Sequence, residues 1–199
     1  MATERYGSKL STMSKVGVVS IQGDFEKHLA AVRQAGAEPV EVRTPDDLVG
    51  VDRLIIPGGE STAVGLLMDR FGLGVAIQER ARAGMPIWGT CMGMILLASE
   101  IEGNPDQYRL SLFDVTVRRN AFGAQIHSFE DKVAVKGLAE PVLGVFIRAP
   151  VIVHLGEGVE ALAEYDGQTV AARQGNILGT SFHPELTGDL RVHLWFLGF

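Results

Sequence analysis

Two regimes of apolar and polar spacing divide the chain near residue 100. In the first, near-continuous apolar runs closed by glycine or proline alternate with stretches whose apolar positions fall three and four apart. Val16, Val18, Val19 and Ile21 form the first run, which predicts a strand buried on both faces over 16–21. Phe25, Leu29, Val32 and Ala35 follow at helical spacing, and Gly36 supplies the stop of a helix over 24–36. Further strands are expected at 39–42 and 53–56, the latter closed by Pro57-Gly58-Gly59. Helices are expected at 61–68 and 75–83, a short buried strand at 86–88 and an apolar helix at 92–100. This β-α-β-α-β order implies a mostly parallel sheet with helices on both faces.

Strands dominate the second regime. Residues 112–118 alternate like a half-exposed strand, and another falls at 144–148. Runs at 159–165 and 169–173 flank Asp166-Gly167, a hairpin turn signal that adds an antiparallel portion. A strand at 177–182 precedes a terminal helix at 188–199. No repeat, low-complexity stretch or linker breaks 15–199, so a single domain is expected there. Residues 1–14 are polar and aperiodic, with Met13 just before the first apolar run. They are expected to be a disordered or appended tail, or an alternative start.

Composition narrows the class. A chain of 199 residues fits one α/β domain that buries its core without disulfides. The formal net charge of −6, with no long run of either sign, argues against a nucleic-acid partner. No stretch approaches the ~20 apolar residues of a membrane span, and no apolar segment follows Met1 to Tyr6. Neither a membrane anchor nor a signal peptide is expected. The one cysteine, Cys91, excludes an internal disulfide and fits a reducing compartment, so a cytoplasmic protein is expected.

The chemistry starts at Gly89-Thr90-Cys91-Met92-Gly93, between a short strand and an apolar helix. This is the nucleophile-elbow pattern with Cys in place of Ser. A sharp strand-to-helix turn pushes the nucleophile outward, and small neighbours at Gly89 and Gly93 let the chain pass close to itself. The helix that follows offers free N–H groups and positive potential to an anionic sulfur. The Met92 N–H is then placed to hold an oxyanion. A lone cysteine is more often a buried structural residue. The strand–Gly-x-Cys-x-Gly–helix setting is what turns the reading toward catalysis.

Five histidines are present: His28, His127, His154, His183 and His193. His183 ends a strand in Ser181-Phe182-His183-Pro184-Glu185. In extended chain, positions i and i+2 share a face, so Glu185 can reach the His183 ring. A carboxylate on one ring nitrogen sets the tautomer and leaves the other nitrogen for the thiol. Taken alone, His-Pro-Glu is a surface turn; beside a cysteine elbow it completes a triad. The other four histidines read as structural, and none forms a cluster at metal spacing, so neither a metal nor a cofactor is expected.

Pro57-Gly58-Gly59-Glu60-Ser61-Thr62 also follows a buried strand and opens a helix. Ser61 or Thr62 is suited to cap that helix, and the backbones of Gly58 and Gly59 are suited to present N–H groups. A phosphate-binding reading lacks the P-loop lysine. In elbow enzymes a second oxyanion donor comes from a neighbouring strand–helix loop.

Together, the 57–62 turn, Gly89-Thr90-Cys91 and His183-Pro184-Glu185 resemble class I glutamine amidotransferases. More narrowly, the chain is similar to the glutaminase subunit family of pyridoxal 5′-phosphate synthase. That match rests on Gln22-Gly23, on Arg118-Arg119-Asn120-Ala121-Phe122-Gly123, on the segment from Gly144 to Pro150, and on the segment from Ser181 to Thr187. It runs in order from about Lys15 to the end. The resemblance implies a flavodoxin-like three-layer fold, with Cys91, His183 and Glu185 as the catalytic triad. It implies Gly59, Glu60, Ser61, Arg119, Ile147 and Arg148 around L-glutamine, with an oxyanion hole from the backbones of Gly58, Gly59 and Met92. It also implies that released ammonia passes to a separate synthase subunit in a large hetero-oligomer, and that the glutaminase is poorly active until docked. Met92 stands where the family often has a small residue, but only its N–H is needed.

Three other readings remain open from sequence. The chain could be a glutaminase serving another synthase, such as that of histidine biosynthesis. It could be a cysteine-bearing flavodoxin-like stress protein or peptidase, which leaves the Arg119 and Arg148 segments unexplained. It could also be a binding module, against which an intact triad argues.

Overall fold

The computed structural model describes residues 13–122 and 128–199. Gly123, His127 and most of the expected tail lie outside the described residues. The fold is built on strands whose side chains are buried on both faces. In β3 (Arg53–Ile56) Leu54 and Ile56 point to one side and Ile55 to the other, and all three are at most 1% exposed. The first side packs against α2 (Ser61–Arg70) and α3 (Leu73–Arg82) through Val64, Met68, Leu73 and Ile77. The second packs against α1 (Phe25–Gln34) and α5 (Arg191–Leu197) through Val32, Val192 and Phe196. Each such side chain contributes roughly 1.5–3 kcal/mol by leaving water.

β1 (Lys15–Val19) pairs in parallel with β2 (Glu38–Val42) and β3, and β3 pairs in parallel with β4 (Ile87–Thr90). β12 (Ile177–Thr180), late in the chain, returns to lie parallel beside β4. Beyond it the sheet turns antiparallel through β11 (Gln168–Gln174), β9 (Val151–Leu155) and β6 (Phe113–Arg118), and β5 (Ala98–Ile101) closes the edge parallel to β6. β10 (Glu160–Tyr165) pairs with β11 across Asp166-Gly167, whose φ values of 49° and 71° are the positive pair a type I′ hairpin turn needs. β7 (Ser128–Val133) and β8 (Val142–Ile147) form a separate ribbon. The three-layer, mostly parallel architecture with an antiparallel C-terminal portion is thus the one expected.

Several boundaries differ from the sequence reading. The first strand stops at Val19, and residues 20–24 turn toward the 57–62 loop. The helix expected over 92–100 ends at Leu97: α4 (Met92–Leu97) passes straight into β5, with Ala98 at ψ 151°. An apolar run such as Ile95 to Ala98 fits a buried helix and a buried strand equally well. β7 carries almost no apolar signal, being largely exposed, whereas Val151-Ile152-Val153 of β9 is a β-branched run that the pattern does show.

Candidate active site

Cys91 sits between β4 and α4 at φ 50°, ψ −104°. Such a backbone costs a non-glycine residue about 1–3 kcal/mol and survives only where its surroundings enforce it. Here its N–H donates to the Thr180 carbonyl at 2.7 Å, one step beyond the Thr180–Thr90 pairing of β12 and β4. Its carbonyl accepts from the N–H groups of Met94 and Ile95 at 3.1 and 3.3 Å. Close packing does the rest. A Cβ on Gly89 would lie 2.4 Å from the Gly93 carbonyl carbon, and one on Gly93 would lie 1.9 Å from the Ile56 carbonyl oxygen. Met92 opens α4, so its N–H has no partner inside the helix.

The neighbouring strand delivers His183. β12 runs parallel to β4, so the chain leaving Thr180 emerges beside Cys91, and His183 is anchored by its N–H to the Val145 carbonyl at 2.8 Å. Pro184 then starts a 3₁₀ turn, Pro184–Leu186, which brings Glu185 back onto the ring. The His183–Glu185 contact expected from extended chain is therefore made through a turn. His183 Nδ1 lies 2.7 Å from Glu185 Oε1, and both residues are buried. A carboxylate only accepts, so the proton is on Nδ1. Burial disfavours the imidazolium, but the hydrogen bonds and charges of Cys91 and Glu185 outweigh burial and push His183 up to about 10. Burial likewise raises Glu185, yet the attraction of His28 and the hydrogen bond from His183 hold it well below the ordinary carboxylate range. The Cys91 sulfur also rests 3.8 Å from the Ile147 carbonyl.

A cavity of about 350 Å³ opens over these groups. Its walls include Gly59, Glu60, Ser61, Cys91, Met92, Arg119, Ile147, Arg148 and His183, with Asp24, Ile95 and Asn120 beside them. Gly58 lies directly behind, since a Cβ on it would be 2.3 Å from His183 Cε1. The structure thus gathers the residues singled out from sequence. The expected capping by Ser61 or Thr62 does not occur. Glu60 is the cap, accepting from the N–H groups of Thr62 at 3.0 Å and Ala63 at 2.7 Å, and these bonds lower its pKa. Ser61 Oγ instead accepts from Gln107 Nε2 at 2.9 Å, while Gln107 Oε1 accepts from Arg119 at 2.8 Å. Gln107 thereby ties Arg119 to Ser61, a role no sequence motif signalled. Arg148 is exposed at φ 45°, which turns its side chain away from the run of β8.

Asp24, His183 and Glu185 each offer a ligand atom within 4.8 Å of the others, the one metal-sized grouping among the described residues. His183 Nδ1 and Glu185 Oε1 already satisfy each other there. His28 and His193, read as structural from sequence, are both buried behind Glu185, whereas His154 is exposed. The missed signal was the face of α1: His28 falls in line with Val32 and Ala31, the residues that α1 buries.

Comparison with known proteins matches residues 18–198 to the SNO glutamine amidotransferase family. This chain belongs to that family. Among its curated relatives is the pyridoxal 5′-phosphate synthase subunit PdxT of Herpetosiphon aurantiacus, 57% identical over 187 residues that cover 92% of this chain and 98% of the relative. The PdxT of Geobacillus kaustophilus is 50% identical over 183 residues, covering 92% of this chain and 93% of the relative. A crystal structure of a glutamine amidotransferase superposes with a TM-score of 0.89 at 48% identity, over 92% of this chain and 97% of that one. The PurLQS structure from Thermotoga maritima, at 18% identity, a TM-score of 0.72, and 94% and 98% coverage of the two chains, shares the fold. Membership of the family excludes the stress-protein and binding-module readings. No helix among the described residues is long and apolar enough to cross a membrane.

Proposed function

We propose that this protein is the glutaminase subunit of a pyridoxal 5′-phosphate synthase, hydrolysing L-glutamine to L-glutamate and ammonia in the cytoplasm. The observation that carries this reading is the buried His183–Glu185 pair facing Cys91 on a strained elbow, in a chain with near-full-length similarity to PdxT subunits. Cys91 Sγ passes its proton to His183 Nε2 and attacks the side-chain amide carbon of glutamine. The carbonyl oxygen becomes an oxyanion facing the N–H groups of Met92 and of the Gly58-Gly59 turn. His183 gives that Nε2 proton to the departing nitrogen, keeping its Nδ1 proton on Glu185, and ammonia leaves a γ-glutamyl thioester. His183 then takes a proton from water, the hydroxide attacks the thioester carbon, and glutamate is released with Cys91 restored.

Arg119 and Arg148 suit the α-carboxylate, since a guanidinium fork binds it bidentately and a lysine does not. Arg119→Lys and Arg148→Lys are expected to raise KM for glutamine or to weaken binding of the synthase, with kcat for bound substrate much less affected. Steady-state kinetics and a titration with the synthase subunit measure both, and an unchanged pair of constants refutes the assignment.

The raised pKa of His183 has a direction that can be tested. The stabilising interaction of its imidazolium is complete below the ordinary value of 6.5 and is lost as pH rises through about 10. The pH profile of kcat/KM is therefore expected to hold through neutral pH and fall near pH 10. Glu185→Gln removes one cause of the elevation, so its alkaline limb should move to lower pH. A limb that stays in place would show that Glu185 does not tune His183.

Partner dependence follows from the 57–62 turn, whose glycine peptides rotate at low steric cost. One rotation exchanges an N–H for a carbonyl at the oxyanion, a change worth roughly 10²–10³ in rate. Docking of a synthase subunit is proposed to hold the productive orientation. Ammonia release should rise by that order when the synthase is added, and a ratio near one would favour a constitutive glutaminase. Gly58→Ala is the harsher replacement, because its methyl would strike the His183 ring at 2.3 Å, whereas at Gly59, with φ 156°, a methyl meets Gln22 Oε1 at 3.0 Å.

A further inference from the structure

We infer that His28 is a positioning residue for the triad, donating its Nε2 proton toward the second carboxylate oxygen of Glu185 and so fixing the plane in which Glu185 holds His183. This rests on the glutaminase reading above. Glu185 Oε1 is taken by His183, whereas Oε2 is fully buried without a well-aligned hydrogen bond. The group that faces Oε2 is His28 Nε2 at 3.3 Å, with both side chains fully buried. The contact is bent because the same nitrogen lies 3.2 Å from Thr90 Oγ1 at the end of β4. An unpaired carboxylate oxygen in such a place costs more than a neutral group would, and a shared N–H is what offsets it.

The other side of the ring is compatible with a proton on Nε2, and the Glu185 carboxylate selects it. His28 Nδ1 lies 3.1 Å from His193 Nε2, and His193 Nδ1 has no partner. Burial first, then the electrostatic influence of His28, pushes His193 down to about 3, so its ring is neutral and carries one proton. If that proton is on Nε2, it is donated to His28 Nδ1, and His28 carries its own on Nε2. If His28 is instead doubly protonated, Nε2 again bears a proton. A bare Nε2 would accept from the Thr90 hydroxyl but would also turn its lone pair toward the Glu185 carboxylate at 3.3 Å, which is repulsive. The chain of rings is itself clamped. Trp88 stacks edge-on to His28 and His193 at 5.5 and 5.0 Å, and its indole N–H is held by Thr180 Oγ1 at 3.0 Å. α1, α5 and the centre of the sheet thereby meet at one carboxylate. The charged or titratable groups facing this pair are Glu185, His183 beyond it, and Asp189 near His193.

The test uses the full chain with a pyridoxal 5′-phosphate synthase subunit present. His28→Gln places an amide N–H near the old Nε2, whereas His28→Asn reaches only as far as Nδ1, and His28→Leu fills the space without a donor. Ammonia release by the Asn and Leu variants is expected to fall roughly 10- to 100-fold in kcat with little change in KM, the scale of one hydrogen bond to a charged group. His28→Gln should recover most of the loss. Wild-type kcat in the Asn and Leu variants, or a Gln variant no better than Asn, overturns the proposal. Imidazole nitrogen NMR of the wild type is independent of whether any variant folds: a bare His28 Nε2 overturns the assignment directly, and a protonated one supports it. A wild-type complex that releases no ammonia from glutamine would defeat the glutaminase reading instead, while the NMR result would still place the proton.

Discussion

Cys91→Ala is expected to leave no measurable glutamine hydrolysis and an unchanged circular dichroism spectrum. Removing a nucleophile whose partners act as a unit costs on the order of 10⁴–10⁶ in kcat. The fold should survive because the change removes a single sulfur atom, whose polar contacts include the Ile147 carbonyl at 3.8 Å and the His183 ring. The elbow itself is held by backbone bonds from Thr180, Met94 and Ile95. His183→Asn should be nearly as damaging, and the double variant should be no worse than the worse single one. Substantial activity without the thiol would end the covalent mechanism, and additive losses would show that the two residues do not act together.

Gly93→Ala is expected to damage the protein in the opposite way, through its fold. The new methyl would sit 1.9 Å from the Ile56 carbonyl oxygen, a backbone atom at the end of β3 that has no rotamer to change. Overpacking of this kind costs about 1–3 kcal/mol where side chains can yield, and more against backbone. For a domain of this size, about 3 kcal/mol lowers Tm by roughly 6–12 °C. Any folded fraction should also lose activity, because β3 and the elbow must separate. A variant with wild-type Tm and wild-type ammonia release would show that the contact is not needed.

How far the sequence revealed this molecule depended on what kind of order each part uses. The strands β1, β3, β4 and β12 are buried on both faces, so their apolar runs are unmistakable, and they carry Cys91 and His183 on adjacent parallel edges. The candidate-site motifs were legible because each couples a special residue to a strand end. The face of α1 was not, because an apolar stripe drawn through Leu29 hides the deeper line through His28. Glu60 as a cap and Gln107 as a bridge were invisible for two other reasons. Glutamate is not among the preferred cap residues, and Gln107 joins side chains of separate segments, Ser61 and Arg119 lying 46 and 12 residues away. Hydrophobic period says nothing about such meetings.

The single thiol of this chain has a practical use beyond its proposed role. Cys91 is 8% exposed, and its residue lines the cavity. An amide-sized alkylating reagent therefore has one thiol to find. Moles of label incorporated per mole of chain would count the competent centres in a preparation, independent of turnover. The rate of labelling with and without added glutamine would measure whether glutamine occupies the cavity, with no turnover needed.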